Sequence, residues 1–275
     1  MYIDSSIVQA YISGEDMRRY ENEWFFSSSA LDVDKGKNIF TLPPDDTTVR
    51  DEAGQLVKCF QYGVEHFKPV NQPIWDALFP DWQKIQPVMD LIVGFPEPYD
   101  AVTMKGMDGR IHLVFDLICW RKYVGKVDLD KTIRNLLTHE MTHLLIGENY
   151  PEADAAMESL DYRTKLDAYT FHEGFAHLIS YQTTEMDQVD WHTEQLKEVY
   201  SNCKRKMREA LAETDTKRQE QFLYESICGM YYEKFACMCG MLYLARQWEK
   251  HGIPGLKTAF SDYHGFAERA LTEEI

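Results

Sequence analysis

Leu136-Leu137-Thr138-His139-Glu140-Met141-Thr142-His143-Leu144-Leu145 is the stretch on which the reading of this chain turns. His139 and His143 stand four positions apart, so a helix puts both imidazoles on one face, one turn above the other. Leu136, Leu137, Met141, Leu144 and Leu145 supply the apolar positions of a buried helix. Two imidazole nitrogens on one face can share a zinc ion at about 2.0–2.1 Å each. Glu140 is one residue along, and its carboxylate projects beside that pair rather than with it. There it can reach a water next to the ion without ligating the ion, the geometry of a general base. With 9 His in 275 residues, chance supplies such a pattern only about 0.03 times per chain, before a helical context is required.

Two ligands do not complete a catalytic zinc site, which needs a third. A third His following a Gly at position 146 is excluded, because Ile146 stands there. The other source is a carboxylate on a second helix, and Phe171-His172-Glu173-Gly174-Phe175-Ala176-His177-Leu178 offers one. Glu173 is the expected third ligand, with Gly174 and Ala176 small enough to admit a close approach to the metal helix. His177 lies one turn after Glu173 on the same face. It is open to three roles: a ligand in place of Glu173, a fourth ligand that closes the site, or a group supporting a ligand from behind. His172 flanks Glu173 and is open to the supporting role. Asp154, Glu158, Asp161 and Asp167 are candidates to orient a ligating imidazole.

Outward from these segments the chain falls into three zones. Residues 1–86 read as helices and loops: a helix from an Asp4-Ser5-Ser6 cap to about Phe26, a loop over Lys35 to Asp46, a helix over Thr47 to Phe67 and a short one over Ile74 to Ile85. Residues 87–125 read as sheet. Val88 to Val93 is a compact apolar run, Ala101 to Met107 alternates, and Asp108-Gly109 is a hairpin turn before the strand Arg110 to Cys119. Alternation there would send Ile111, Leu113, Phe115 and Leu117 to one face. Residues 126–275 read as helical: Asp128 to Ile146 closed by Gly147, a connector over Pro151 to Asp161, then Tyr162 to Glu185, Trp191 to Ala212, Gln219 to His251 stopped by Gly252 and Pro254, and a short last helix. Strands followed by helices predict an α+β fold, taken as a single domain over 1–275.

Composition narrows the function classes. Lys plus Arg is 29 and Asp plus Glu is 45, a formal charge of -16. A nucleic-acid binder or a binder of anionic membrane would carry the opposite sign. No apolar run approaches the roughly 20 residues of a spanning helix, and Met1 to Ala10 shows no basic and apolar leader pattern. A soluble, cytoplasmic protein is expected. Six cysteines are too few for a disulfide scaffold of this length and are expected as free thiols.

With its His139-Glu140-x-x-His143 and Glu173-Gly174-Phe175-Ala176 segments, the chain resembles the gluzincin metallopeptidases, the clan that contains thermolysin and the aminopeptidase-type enzymes. The Glu-Gly-x-Ala form is similar to that of zinc proteases of the peptidase MA-like kind. The resemblance covers roughly residues 88–250. It implies a zincin-like fold, with a small twisted mixed sheet on the metal helix and an edge strand along the cleft. The strand Arg110 to Cys119 or its neighbour is the candidate edge, where a peptide would add as a further strand. It implies Zn2+ held by His139, His143 and Glu173, and a peptide or protein as substrate. Zinc would acidify a water and Glu140 would take its proton. Tyr231-Tyr232-Glu233-Lys234-Phe235-Ala236 resembles the Tyr-x-Lys-Gly-Ala segment of the aminopeptidase-type enzymes, which makes Tyr232 the candidate oxyanion donor; Tyr231, His192 and His264 are the others. The amine-holding Gly-x-Met-Glu-Asn segment of those exopeptidases has no counterpart between Cys119 and Asp128, which favours an endopeptidase. Two other readings share these residues: a zincin-fold binding module without catalysis, and a zinc hydrolase of a non-peptide bond such as an ester or epoxide.

Overall fold

In chain order, the computed structural model carries β1 (Tyr2–Asp4), α1 (Ser6–Ile12), α2 (Thr47–Glu65), α3 (Gln72–Leu78), β2 (Val88–Ile92), β3 (Ala101–Lys105), β4 (Ile111–Asp116), α4 (Leu117–Trp120), α5 (Leu129–Asn149), α6 (Pro151–Ala156), α7 (Tyr162–Ile179), α8 (Glu194–Ala212), α9 (Thr216–Ile227), α10 (Phe235–Phe260) and α11 (Phe266–Arg269). The structure describes residues 1–26, 38–97, 99–181 and 185–273. The fold is α+β and mostly helical, with one small mixed sheet. The chain divides into two compact units, Met1–Lys68 with Gln83–Arg134, and Pro69–Trp82 with Asn135–Ile275. Among the described residues no helix is long and apolar enough to cross a membrane.

The first unit holds the sheet, in the order β1-β2-β4-β3. β1 and β4 both run parallel to β2, and β3 pairs antiparallel with β4. The strand expected over Arg110 to Cys119 is therefore internal, and its neighbour β3 is the edge. It also ends early, because Asp116 turns the chain. The Asp116 Oδ1 accepts from the N–H groups of Ile118 and Cys119 at 2.8 and 2.9 Å, capping α4. Its Oδ2 accepts from Gly94 and Phe95 at 2.6 and 2.7 Å. Within β4 alternation puts Ile111, Leu113 and Phe115 on one face, while Leu117 lies in α4. His112, Val114 and Asp116 are as buried as Leu113 and Phe115, because an internal strand in this unit is covered on both faces.

β1 lay in a zone read as helices and loops, and three residues carry no periodicity from which to find it. The first helix stops at Ile12 rather than near Phe26, since Gly14 follows at φ 79° and two short 3-10 turns, Met17–Tyr20 and Trp24–Phe26, take its place. α2 matches its expected span. Asp46 caps it by accepting from the Thr48 and Val49 N–H groups, and Val49, Ala53, Leu56, Val57 and Phe60 form its buried stripe. Phe60 packs edge-on against Trp120 with ring centroids 4.7 Å apart. The loop expected over Lys35 to Asp46 is irregular from Asn38 onward, and its first residues lie outside the described ones.

The second unit is helical. α7 and α10 pack backbone to backbone at Gly174 and Gly240, where a Cβ on Gly174 would lie 2.9 Å from the Gly240 Cα. Phe171 and Phe175 extend that contact to Phe260, with centroids 5.6 and 5.1 Å apart. Asn71, in the left-handed region at φ 56°, starts α3 and ties it to the end of α7. Its amide donates to the Ile179 carbonyl at 2.8 Å, and its oxygen accepts from the Met186 N–H at 2.6 Å.

Three helix boundaries differ from expectation. α5 runs past Gly147 to Asn149; the glycine serves packing, since a Cβ there would meet the Asp154 carboxylate at 3.2 Å. The helix expected over Gln219 to His251 is two helices, broken where Gly229 adopts φ 111°. The break expected at Gly252 is present, at φ 61° and ψ -151°, and a further helical segment carries the chain on to Phe260. α7 ends at Ile179, and the residues 182–184 of its expected tail lie outside the described ones.

Candidate metal centre

α5 presents His139 and His143 as its periodicity requires. Leu137, Met141, Leu144 and Leu145 are buried on the apolar side. Thr138 anchors that side: its Oγ1 accepts from the Val70 N–H at 3.0 Å, and its carbonyl accepts from Thr142 Oγ1 at 2.8 Å. On the other side the two imidazoles converge, with Nε2 to Nε2 at 3.1 Å. α7 brings the carboxylate. Glu173 Oε1 is 3.6 Å from His143 Nε2, and Oε2 is 3.8 Å from His139 Nε2. A tetrahedral site with bonds of about 2.0–2.1 Å has ligand atoms about 3.3 Å apart; the imidazole pair lies close to that spacing, and the carboxylate faces it with a different oxygen toward each ring.

His177 joins the group. His139, Glu173 and His177 form a largely buried cluster whose ligand atoms lie within 4.8 Å of one another and which could hold a metal ion. The His177 Nδ1 is 3.0 Å from the Glu173 carbonyl and 3.2 Å from Glu173 Oε2. Both neighbours are acceptors, so this nitrogen carries the proton.

The tautomer of His139 is set in the same way. The Ser180 hydroxyl donates its one proton to the Ala176 carbonyl at 2.6 Å, and faces His139 Nδ1 at 3.4 Å as an acceptor. That leaves the Nε2 lone pair of His139 pointing at the cluster. Burial holds His139 well below the usual imidazole range, and the neighbouring His177 and His143 push it the same way. Burial alone would raise Glu173, but His143, His177 and His139 outweigh it and keep the carboxylate well below its ordinary range. A neutral imidazole with a free lone pair beside an ionised carboxylate is the donor chemistry a divalent cation takes. The two imidazole nitrogens, 3.1 Å apart, share a proton as a hydrogen bond, the place an ion would take between them.

The other expected residues divide by place. Glu140 is buried, 8% exposed, between the two histidines on α5. Tyr232 directs its hydroxyl to that of Tyr181 at 3.3 Å, whereas the Tyr231 ring stands beside His177 at 5.4 Å between centroids. His192 pairs with Glu249 and Arg246, and His264 with Asp262, so neither is directed at the cluster. Asp161 caps α7 through the Thr164 N–H, and Asp167 accepts from Gly265 and Ala267. Asp154 lies against Gly147, and Glu158 is exposed. Ser180 takes the orienting role toward His139 that these acids were candidates for. His172 is fully buried and stacks on His143, with centroids 5.9 Å apart and 16° between the planes.

Sequence reasoning did not find Cys237. All six cysteines are free, as expected, and five have no part in the cluster. The Cys237 Sγ is 3.6 Å from Glu173 Oε2. Its approach comes from the Gly174–Gly240 contact. Gly174 admits α10, not the metal helix, and Cys237 is one turn before Gly240. A glycine in α10 three residues after a cysteine is the only sequence signal of this.

No family model, no curated protein and no solved structure matches this chain.

Proposed function

We propose that this protein is a zinc-dependent hydrolase with a zincin-like site of the gluzincin type, acting as a metallopeptidase and, in the absence of an amine-holding segment, as an endopeptidase. The reading is carried by one observation: His139 Nε2, His143 Nε2 and the Glu173 carboxylate lie 3.1 to 3.8 Å apart, with Glu140 next to His139 on the same helix. Bound zinc would supply Lewis-acid polarisation of a carbonyl and a lowered pKa for water. Glu140 would hold and move the water's proton, as a buried carboxylate adjacent to the ligands. Tyr232, whose hydroxyl meets that of Tyr181, and Tyr231, whose ring stands beside His177, are the oxyanion-donor candidates. A peptide or protein is the substrate class of this reading.

A second reading has its own observation, the inclusion of His177 in the metal-competent cluster. If His177 ligates together with the other three, the site is closed. A closed site is structural, and the protein is then a metal-stabilised binding module.

Zinc content of wild type against Glu173→Ala separates these readings. About one zinc in wild type and its loss in the variant support the open site. Full zinc in Glu173→Ala means that His177 or another group serves as a ligand, and the non-catalytic reading gains ground. Quenched peptides set against small esters then distinguish a peptidase from a hydrolase of another bond.

A further inference from the structure

The two oxygens of Glu173 have different surroundings. Oε1 faces His143 Nε2 at 3.6 Å. Oε2 has His177 Nδ1 at 3.2 Å and Cys237 Sγ at 3.6 Å, and is 3.8 Å from His139 Nε2. Each of the two close neighbours of Oε2 also touches a backbone carbonyl. His177 Nδ1 is 3.0 Å from Glu173 O, and Cys237 Sγ is 3.6 Å from Ser226 O. An atom set between a carboxylate oxygen and a carbonyl oxygen is repelled by both unless it carries a proton, so Nδ1 is an N–H and Sγ an S–H.

We propose that His177 and Cys237 are positioning residues: their N–H and S–H occupy Oε2 of Glu173, so that Glu173 meets the ion through Oε1 alone and a coordination position stays open for water and substrate. The inference deepens the metal-site reading above and rests on it. A carboxylate free to rotate could chelate through both oxygens and fill that position. Here α7 supplies one donor from its own next turn, and α10 supplies the other from across the Gly174–Gly240 contact. Partners of this kind, which hold a metal ligand from behind, are commonly worth about 10- to 100-fold in metal affinity. The arrangement also gives His177 a task other than ligation, and gives a buried thiol in a metal-competent cluster a task other than thiolate ligation.

The experiment reads metal affinity and a spectrum rather than activity. Zinc dissociation constants are measured by chelator competition for wild type, Cys237→Ala, Cys237→Val, Cys237→Ser, His177→Leu and His177→Asn. Cobalt(II) absorption spectra are recorded for the same set, and melting temperatures for the metal-free forms. Cys237→Ala, Cys237→Val and His177→Leu should each weaken zinc about 10- to 100-fold. Cys237→Ser keeps a donor at the γ position and His177→Asn keeps an N–H near Nδ1, and both should recover most of the affinity. Wild type loaded with cobalt should show no thiolate-to-cobalt charge-transfer band. Such a band, lost in Cys237→Ser, would make Cys237 a ligand and overturn the proposal. So would unchanged affinity in Cys237→Ala, Cys237→Val and His177→Leu, or affinity that tracks only the metal-free melting temperature. Failure of wild type to bind either ion appears before any substitution; it overturns the metal-site reading itself and this proposal with it.

Discussion

Gly174 of α7 and Gly240 of α10 meet so closely that a Cβ on Gly240 would lie 2.4 Å from the Thr170 carbonyl oxygen and 2.9 Å from the Gly174 Cα. The atoms in the way are backbone, so no side-chain rotation relieves the overlap. Glu173 immediately precedes the first glycine, and Cys237 stands one turn before the second. The pair therefore sets where the carboxylate and the thiol meet.

Ala at either position forces the helices apart. Gly174→Ala and Gly240→Ala should each lower stability by about 1–3 kcal/mol, the range for overpacking a tight contact. Both should weaken zinc as well, by withdrawing Cys237 from Glu173. Urea unfolding and chelator competition on the same preparations check this. Wild-type stability in Gly240→Ala would show that the helices are not held at this distance.

Glu140→Gln removes the proton acceptor while keeping size and hydrogen-bonding capacity. Zinc stoichiometry should be unchanged, because Glu140 is not among the ligands, and peptide hydrolysis should fall about 10²- to 10⁴-fold. Retained hydrolysis with retained zinc would remove Glu140 from its role.

His172 makes stability depend on pH. Burial, with the neighbouring His143, pushes it down from the ordinary 6.5 to about 3. As pH falls below 6.5 the unfolded chain binds this proton and the folded chain does not, so stability is complete above 6.5 and is lost toward about 3. Between pH 6.5 and 4.5 the loss from this group is roughly 2–3 kcal/mol, at about 1.4 kcal/mol per unit. In metal-free protein, His172→Phe should flatten that slope, whatever its effect at neutral pH. Urea midpoints at three pH values in this window test it, and an unchanged slope counts against it.

Asp116 serves the first unit in the way Asn71 serves the second. Its two oxygens accept from four backbone N–H groups, those of Gly94, Phe95, Ile118 and Cys119. Asp116→Ala leaves them without this acceptor and should cost about 3 kcal/mol or more. Asp116→Asn keeps one oxygen and should fall between. Unfolding measurements decide the point, and a cost under about 1 kcal/mol would mean that other acceptors replace the carboxylate.

What the sequence by itself determined is what repeats within one element. Thr138 to Leu145 shows both its apolar side and its two histidines because helical periodicity is local, and α2 is legible for the same reason. Glu173 and His177 could be placed together on one helix face by their spacing. Whether His177 would ligate or support a ligand could not be read, because that turns on which atom of Glu173 its Nδ1 approaches. The tertiary structure alone decided that Gly174 opens toward α10 and that Cys237 stands at the carboxylate, 64 positions along the chain from it. It alone joined β1 to β2 and made the strand before α4 internal rather than edge. The helix expected over Gln219 to His251 ran together two helices because apolar spacing continues across Gly229, and only the backbone turn there separates them. Periodicity records which side of an element is buried. It carries no information on what that side is buried against, and in this protein the surroundings of the Glu173 carboxylate are set by that partner.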